Sequence, residues 1–281
     1  MLQDSLRLDG RVVLVAGAGG GGLGTTVCRM AAEQGATVVA ADRTQAKLDQ
    51  DIAPLIAEGL SIVTVVADLQ TEEGIAAAMD AARAAPGTLF GLVTMVGGGP
   101  AHTWAPATKM SRESWHEMFS KNLESMFFMA QAFAAELQAQ SLRGAIVAVS
   151  SISGLGAGPY HIAYATAKAA IPPVVRTMAL ELAKSDIRVN AVAPAAMIGP
   201  KSLLPPNPEL EGRAIPMARQ GQHAEVAASI MFLLTDMGSY VTGQCLTVDG
   251  GITLKHAHID EDNTPVMITN EAFLKAMKGE A

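Results

Sequence analysis

Three side chains in the middle of the chain have the chemistry to move a proton to or from an alcohol: Ser151 in SSISG, and Tyr164 and Lys168 in YATAK. A tyrosine and a lysine four residues apart on a helix project from one face. A free phenol titrates at about pH 10, too high for easy exchange at neutral pH, and a nearby ammonium lowers that value by stabilising the phenolate. Tyr164 is expected to exchange a proton with an alcohol or ketone oxygen that Ser151, 13 residues upstream, also hydrogen-bonds. Alone, this tyrosine–lysine spacing usually marks an exposed helix face, so its weight depends on what else the chain carries.

Residues 17–24 read GAGGGGLG, six glycines in eight positions directly after an apolar run. Glycine inside a regular element costs about 0.5–1 kcal/mol relative to alanine, so the cluster implies a backbone that something approaches closely. Between a first strand and a first helix, unpaired helix N–H groups and the positive dipole end hold a pyrophosphate, provided no Cβ intervenes. Gly17, Gly22, Leu23 and Gly24 form the expected phosphate turn. Eighteen residues beyond Gly24, Asp42 and Arg43 close the second apolar run. A carboxylate there accepts both hydroxyls of an adenosine ribose and repels a 2′-phosphate. NAD is therefore favoured over NADP, with Arg43 the residue that would serve a phosphate instead.

These groups need a scaffold, and the hydropathy pattern describes one. Apolar, β-branched runs recur at 11–16, 37–41, 61–67, 89–96, 145–150, 188–192 and 245–248, separated by amphipathic stretches of helical period at 25–34, 72–85, 114–140, 165–183 and 224–234. Strands alternating with helices predict an α/β, Rossmann-type doubly wound parallel sheet with helices on both faces, and ligands at the carboxyl ends of its strands. The 281 residues are 49% hydrophobic and 17% charged, which excludes a disordered polymer. A net charge of −7 offers no basic surface, so nucleic acid and membranes are not expected partners. Asp4, Arg7 and Asp9 interrupt the segment where a signal peptide needs its apolar core, and Cys28 and Cys245 lack metal-type spacing; a cytoplasmic protein with reduced thiols is expected.

Taken together, these motifs resemble the short-chain dehydrogenase/reductase family over residues 6–251, and residues 252–281 extend beyond that single domain. The resemblance implies an NAD(P)-dependent oxidoreductase acting on CH–OH donors, with Asn122 completing a catalytic set of Asn122, Ser151, Tyr164 and Lys168. It places Lys168 on the nicotinamide ribose, Asp68 and Leu69 beside the adenine, Gly97 under the cofactor, and Pro194 and Ile198 near the nicotinamide. It also implies a homo-oligomer, tetramer or dimer. The glycine turn is one residue longer than the family's usual spacing, and Ala195 stands where glycine is common. Pro172 and Pro173 fall within the helix begun at Tyr164, where they are expected to free the carbonyls of Lys168 and Ala169 and kink its axis.

For the substrate, the resemblance points to Ser153, Tyr160, His161 and Met197, with Ile152, Leu155, Leu203, Leu204 and Met217 nearby. These favour an apolar small-molecule secondary alcohol or ketone, cyclic or aryl in character. His161 fits either a substrate contact or a loop filler, and Trp104 and Trp115 are read as packing residues. His256 and His258 before Asp260, Glu261 and Asp262 are read as a solvated tail, with no metal site. Two other function classes share these motifs: a lyase or epimerase using bound NAD, and a non-catalytic NAD-binding sensor.

Overall fold

Strands apolar along their whole length must be covered on both sides. The computed structural model describes residues 2–199, 206–256 and 258–278, and in it seven strands form one all-parallel sheet. They are β1 (Arg11–Ala16), β2 (Thr37–Asp42), β3 (Ile62–Val66), β4 (Thr88–Thr94), β5 (Gly144–Val149), β6 (Ile187–Pro194) and β9 (Cys245–Val248); β7 (Met197–Ile198) and β8 (Gly221–Gln222) make a separate short pair. The large sheet runs in the order β3-β2-β1-β4-β5-β6-β9. This is the expected Rossmann-type single domain, with every expected strand present and no end displaced by more than two residues.

Alternation along β1 shows how the core is divided. Val12, Leu14 and Ala16 face one layer, packed with Met129, Phe133 and Leu137 from the helix Ser125–Ala139. Val13 and Val15 face the other, packed with Val27 from Leu23–Glu33 and Ile230 from His223–Leu234. Consecutive side chains on a strand point to opposite faces, so one apolar run supplies both layers. The chain winds one way from β1 through β2 to β3 and the other way from β4 onward, which opens a crevice beyond the carboxyl ends of β1 and β4.

Two helical segments differ from expectation. The stretch expected as one helix over 114–140 is Arg112–Phe119, a π-helical turn at Ser120–Glu124, then Ser125–Ala139. The stretch expected as one kinked helix over 165–183 is two helices, Ile162–Ala169 and Ile171–Leu182. Pro172 and Pro173 lie in the first turn of the second helix, where a missing N–H costs nothing because no intrahelical acceptor awaits it.

Beyond β9, Asn270 caps the helix Glu271–Met277, its side chain accepting from the Phe273 N–H at 3.0 Å. Phe273 and Met277 remain 39% and 73% exposed. A seven-residue helix gains little unless its apolar side packs, and on its own chain this stripe is left uncovered. Deleting residues 265–281 should lower the melting temperature by several degrees or shift the solution mass, measured by calorimetry and light scattering; no change in either would show a tail that packs on nothing.

Candidate active site

Lys168 lies in the helix Ile162–Ala169, 3% exposed, and its Nζ donates to the Val149 carbonyl at the end of β5, 2.9 Å away. Burial pushes its pKa down to about 8. Its own carbonyl, which the following helix break leaves without a full set of partners, accepts from Ser150 Oγ at 2.9 Å. Tyr164 stands one turn earlier, with the ammonium 5.9 Å from its ring centroid. Burial raises the phenol's pKa, and a side-chain hydrogen bond with Ser151 opposes that shift. Ser151 itself caps the short turn Ile152–Gly154, accepting from the Ser153 N–H at 3.1 Å. A Cβ on Gly154 would come within 2.6 Å of the Ala169 nitrogen, so glycine is what lets this serine segment lie against the Lys168 helix.

Asn122 sits in the π-helical turn and is fully buried. Its Nδ2 donates to the carbonyls of Met118 (3.0 Å) and Gly98 (3.2 Å), and its Oδ1 accepts from the Gly98 N–H at 2.9 Å. The asparagine thus clamps the segment after β4. A side chain on Gly97 would meet Asn122 Oδ1 at 2.6 Å and Lys168 Nζ at 3.1 Å, which explains a glycine at that position.

At the other end of the crevice, the turn 17–24 absorbs its additional residue through Gly20 (φ +112°) and Gly21 (φ +66°), both in the region that favours glycine. Its amides face carboxylates: Gly19 N–H donates to Asp42 Oδ2 (3.1 Å) and Gly20 N–H to Asp51 Oδ2 (2.8 Å). Asp42 is 6% exposed, with Lys47 Nζ 3.5 Å away. A Cβ on Gly24 would fall 2.2 Å from the Gly17 carbonyl, so the helix start can approach the strand end only without one.

These parts line two adjoining cavities. One, about 610 Å³, is walled by Gly17, Leu23, Gly24, Gly97, Ser151, Ser153, His161, Tyr164, Lys168, Pro194 and Met197. The second, about 180 Å³, gathers Asp42, Arg43, Asp68 and Leu69, and shares Gly17 and Gly97 with the first. An elongated dinucleotide fits this arrangement: a glycine-walled turn lies between a carboxylate end and a tyrosine–lysine end. The Thr94 hydroxyl at the end of β4 is buried without a hydrogen-bond partner, although Thr94 is not among the residues that wall either cavity.

Other expected residues lie elsewhere. Ile198 and Gly22 are not among the linings of these two cavities, and Asn122 stands behind the wall. Tyr160, 60% exposed with φ +63°, lines a neighbouring apolar groove with Pro106 and Ile162. Leu203 and Leu204 lie outside the described residues. One residue escapes the sequence patterns: His223, at the start of His223–Leu234, sits within 3.4 Å of where a Gly22 Cβ would be and 2.1 Å of where a Gly199 Cβ would be. Its imidazole joins the phosphate turn to the segment after β6. The contact depends on two glycines more than 170 residues apart, which no local pattern shows.

With the fold and cleft described, comparison with known proteins is decisive about class. A family model described as enoyl-(acyl carrier protein) reductase matches residues 17–253, and the chain belongs to the short-chain dehydrogenase/reductase family. Galactitol 2-dehydrogenase (L-tagatose-forming) of Cereibacter sphaeroides is 34% identical over 256 residues, covering 88% of this chain and 97% of the relative. Among solved structures, a 7α-hydroxysteroid dehydrogenase complexed with NADH and 7-oxo glycochenodeoxycholic acid superposes with a TM-score of 0.80 at 30% identity, covering 88% of this chain and 96% of that one. A gluconate 5-dehydrogenase from Burkholderia cenocepacia J2315 in complex with NADP and tartrate gives 0.82 at 30% identity, with 91% and 100% covered. Oxidoreduction between alcohols and ketones is the chemistry of these relatives, with both forms of the nicotinamide cofactor represented. Among the described residues, no helix is long and apolar enough to cross a membrane, and no cluster of His, Cys, Asp or Glu is arranged to hold a metal.

The buried ammonium carries a measurable cost. Lys168 titrates at about 8 when folded and at its ordinary 10.5 when unfolded, so between those values the unfolded chain binds more protons and folding stability rises with pH. In Lys168→Met that dependence is absent. Relative to the variant, the wild type should gain up to about 1.4 kcal/mol per pH unit between pH 8 and 10 in urea unfolding; parallel pH profiles would contradict the assignment.

Proposed function

We propose that the protein is an NAD-dependent dehydrogenase/reductase that interconverts a secondary alcohol and a ketone on a small, largely apolar molecule. The observation that carries this reading is the convergence of Ser151, Tyr164 and Lys168 on one cavity that continues into the Asp42 cavity through the glycine turn. Bound nicotinamide supplies or accepts the hydride. Tyr164 transfers the proton at the reacting oxygen, acting as general acid in reduction and general base in oxidation. Ser151 hydrogen-bonds the same oxygen and fixes its distance from the phenol. Lys168 holds the nicotinamide ribose and, through its charge, eases loss of the phenolic proton. Asn122 holds the Gly98 backbone and supports proton passage to the lysine from behind the wall.

At the far end, Asp42 accepts the adenosine ribose hydroxyls, with Asp68 and Leu69 beside the adenine. A carboxylate in the Asp42 cavity would repel a 2′-phosphate there, which favours NAD. Arg43 and Lys47 line the same cavity and are the cations that would serve a phosphate instead. We further propose that the protein works in the cytoplasm as a homo-oligomer.

The test is turnover of a panel of secondary alcohols and ketones with NAD and NADP in parallel, followed by absorbance of the reduced cofactor. Tyr164→Phe removes one oxygen and should lower kcat by about 10²–10⁴-fold, with NADH affinity nearly unchanged. Near-normal turnover in that variant would overturn the assigned chemistry.

Asp42→Ala should weaken NAD binding more than NADP binding, read by titration of each cofactor. Equal losses, or a wild-type preference for NADP, would refute the role given to this carboxylate.

A further inference from the structure

We propose that Trp104 is a specificity-determining residue, and that with His161 it selects uncharged secondary alcohols or ketones carrying a flat ring beside the reacting carbon. This rests on the reading of the cleft as an alcohol–ketone site.

Trp104 follows the short turn Ala101–Thr103, is 50% exposed, and is tied to the cleft at two points. Its indole N–H donates to the Gly99 carbonyl at 2.8 Å, and Gly99 lines the cavity that holds Tyr164. Its ring meets the His161 imidazole edge to face, with centroids 3.8 Å apart and planes at 75°. His161 lines the same cavity and in turn lies edge-on to Tyr164, centroids 5.9 Å apart at 74°. Trp104 itself is not among the residues that wall the cavity; its indole backs the wall through Gly99 and His161, so three rings run in series from the half-exposed indole to the phenol.

The wall is fixed before any substrate arrives. The Ala105 N–H donates to the Tyr160 carbonyl at 3.0 Å, joining the tryptophan segment to the segment that leads into the Tyr164 helix. Because the indole spends its only donor on Gly99, what it offers a ligand is an apolar ring surface. An exposed indole surface of this kind favours another flat ring, by burial and by offset or edge contacts.

A second observation also points to a ligand. His161 Nε2 is buried and has no hydrogen-bond partner. An unpaired buried nitrogen in a cavity wall is costly, and a polar group on the substrate removes that cost. Burial also lowers the imidazole's pKa, which disfavours a charged ring at this part of the wall.

Two ligand pairs of equal carbon count separate the ring from apolar size: 1-phenylethanol with 2-octanol as substrates, and acetophenone with 2-octanone as dead-end ligands of the NAD-loaded protein. The wild type should prefer the ring member at least tenfold, in kcat/KM and in calorimetric affinity. Trp104→Leu should bring that ratio to within about threefold of unity, chiefly by loss on the ring member, with NAD affinity nearly intact. Trp104→Phe, which keeps a smaller aromatic ring and loses the N–H donor, should retain part of the preference. An unchanged ratio in Trp104→Leu, a wild type with no ring preference, or failure of both ketones to bind would overturn the proposal. Tight, tryptophan-dependent binding of acetophenone without hydride transfer to or from any panel member would instead leave it standing and refute the oxidoreductase reading.

Discussion

A lysine ammonium buried at the carboxyl end of a parallel sheet constrains much of the surrounding structure. Moving a cation out of water is expensive unless polar partners replace its hydration, and here the replacement found on the protein is the Val149 carbonyl. That single hydrogen bond requires the Lys168 helix to run close beside β5. Gly154 permits the approach from one side and Gly97 from another, since a Cβ at either position would meet the Lys168 backbone or its Nζ. Ser150, the first residue after β5, then binds the lysine's own carbonyl. The break before Ile171 belongs to the same arrangement: ending the helix there leaves a carbonyl near the strand end for Ser150 to use.

The opposite end of the crevice is built by removing atoms. Gly17 and Gly24 bring a strand end and a helix start within contact distance, and Gly22 with Gly199 leaves room for the His223 imidazole between the phosphate turn and the segment after β6. The small β7–β8 pair sets that second contact, because Gly221 and Gln222 lead directly into His223 while Met197 and Ile198 lead directly into Gly199. The ring thus occupies space that a side chain at either Gly22 or Gly199 would crowd.

What is legible in the sequence follows the range of the interactions involved. Strands are readable because a sheet covered on both faces demands continuous apolar runs, and the glycine turn because a packed chain tolerates six glycines in eight positions only where its backbone is closely approached. The tyrosine–lysine pair is readable from helical spacing alone. Asn122 is accessible only through resemblance: apolar residues continue at helical period from 114 to 140, and nothing local announces the π-helical turn that aims its side chain inward. The two helices around Ala170 read as one because a proline pair inside a helix and a proline pair at a new helix start look alike until the break is seen. Trp104 reads as a packing residue, since its role depends on Gly99 and His161 meeting it across a loop. Tertiary contacts between distant glycines and one imidazole leave no periodic trace, so His223 is invisible to any reading of the sequence alone.

The electrostatics of the site reverse one sequence-based expectation. Lysine at four-residue spacing is expected to pull the tyrosine's pKa down, yet burial is the larger influence and raises it, while the same burial brings the lysine to about 8. Both groups are thus driven toward their neutral forms. The phenol holds its proton more tightly than the ammonium does, and its raised pKa makes it the weaker acid of the pair. The Ser151 hydrogen bond opposes the rise by lowering the phenol's pKa, while the Lys168 charge persists below about pH 8. Burial and the Ser151 hydrogen bond accordingly act on the phenol in opposite directions, and burial is the larger of the two.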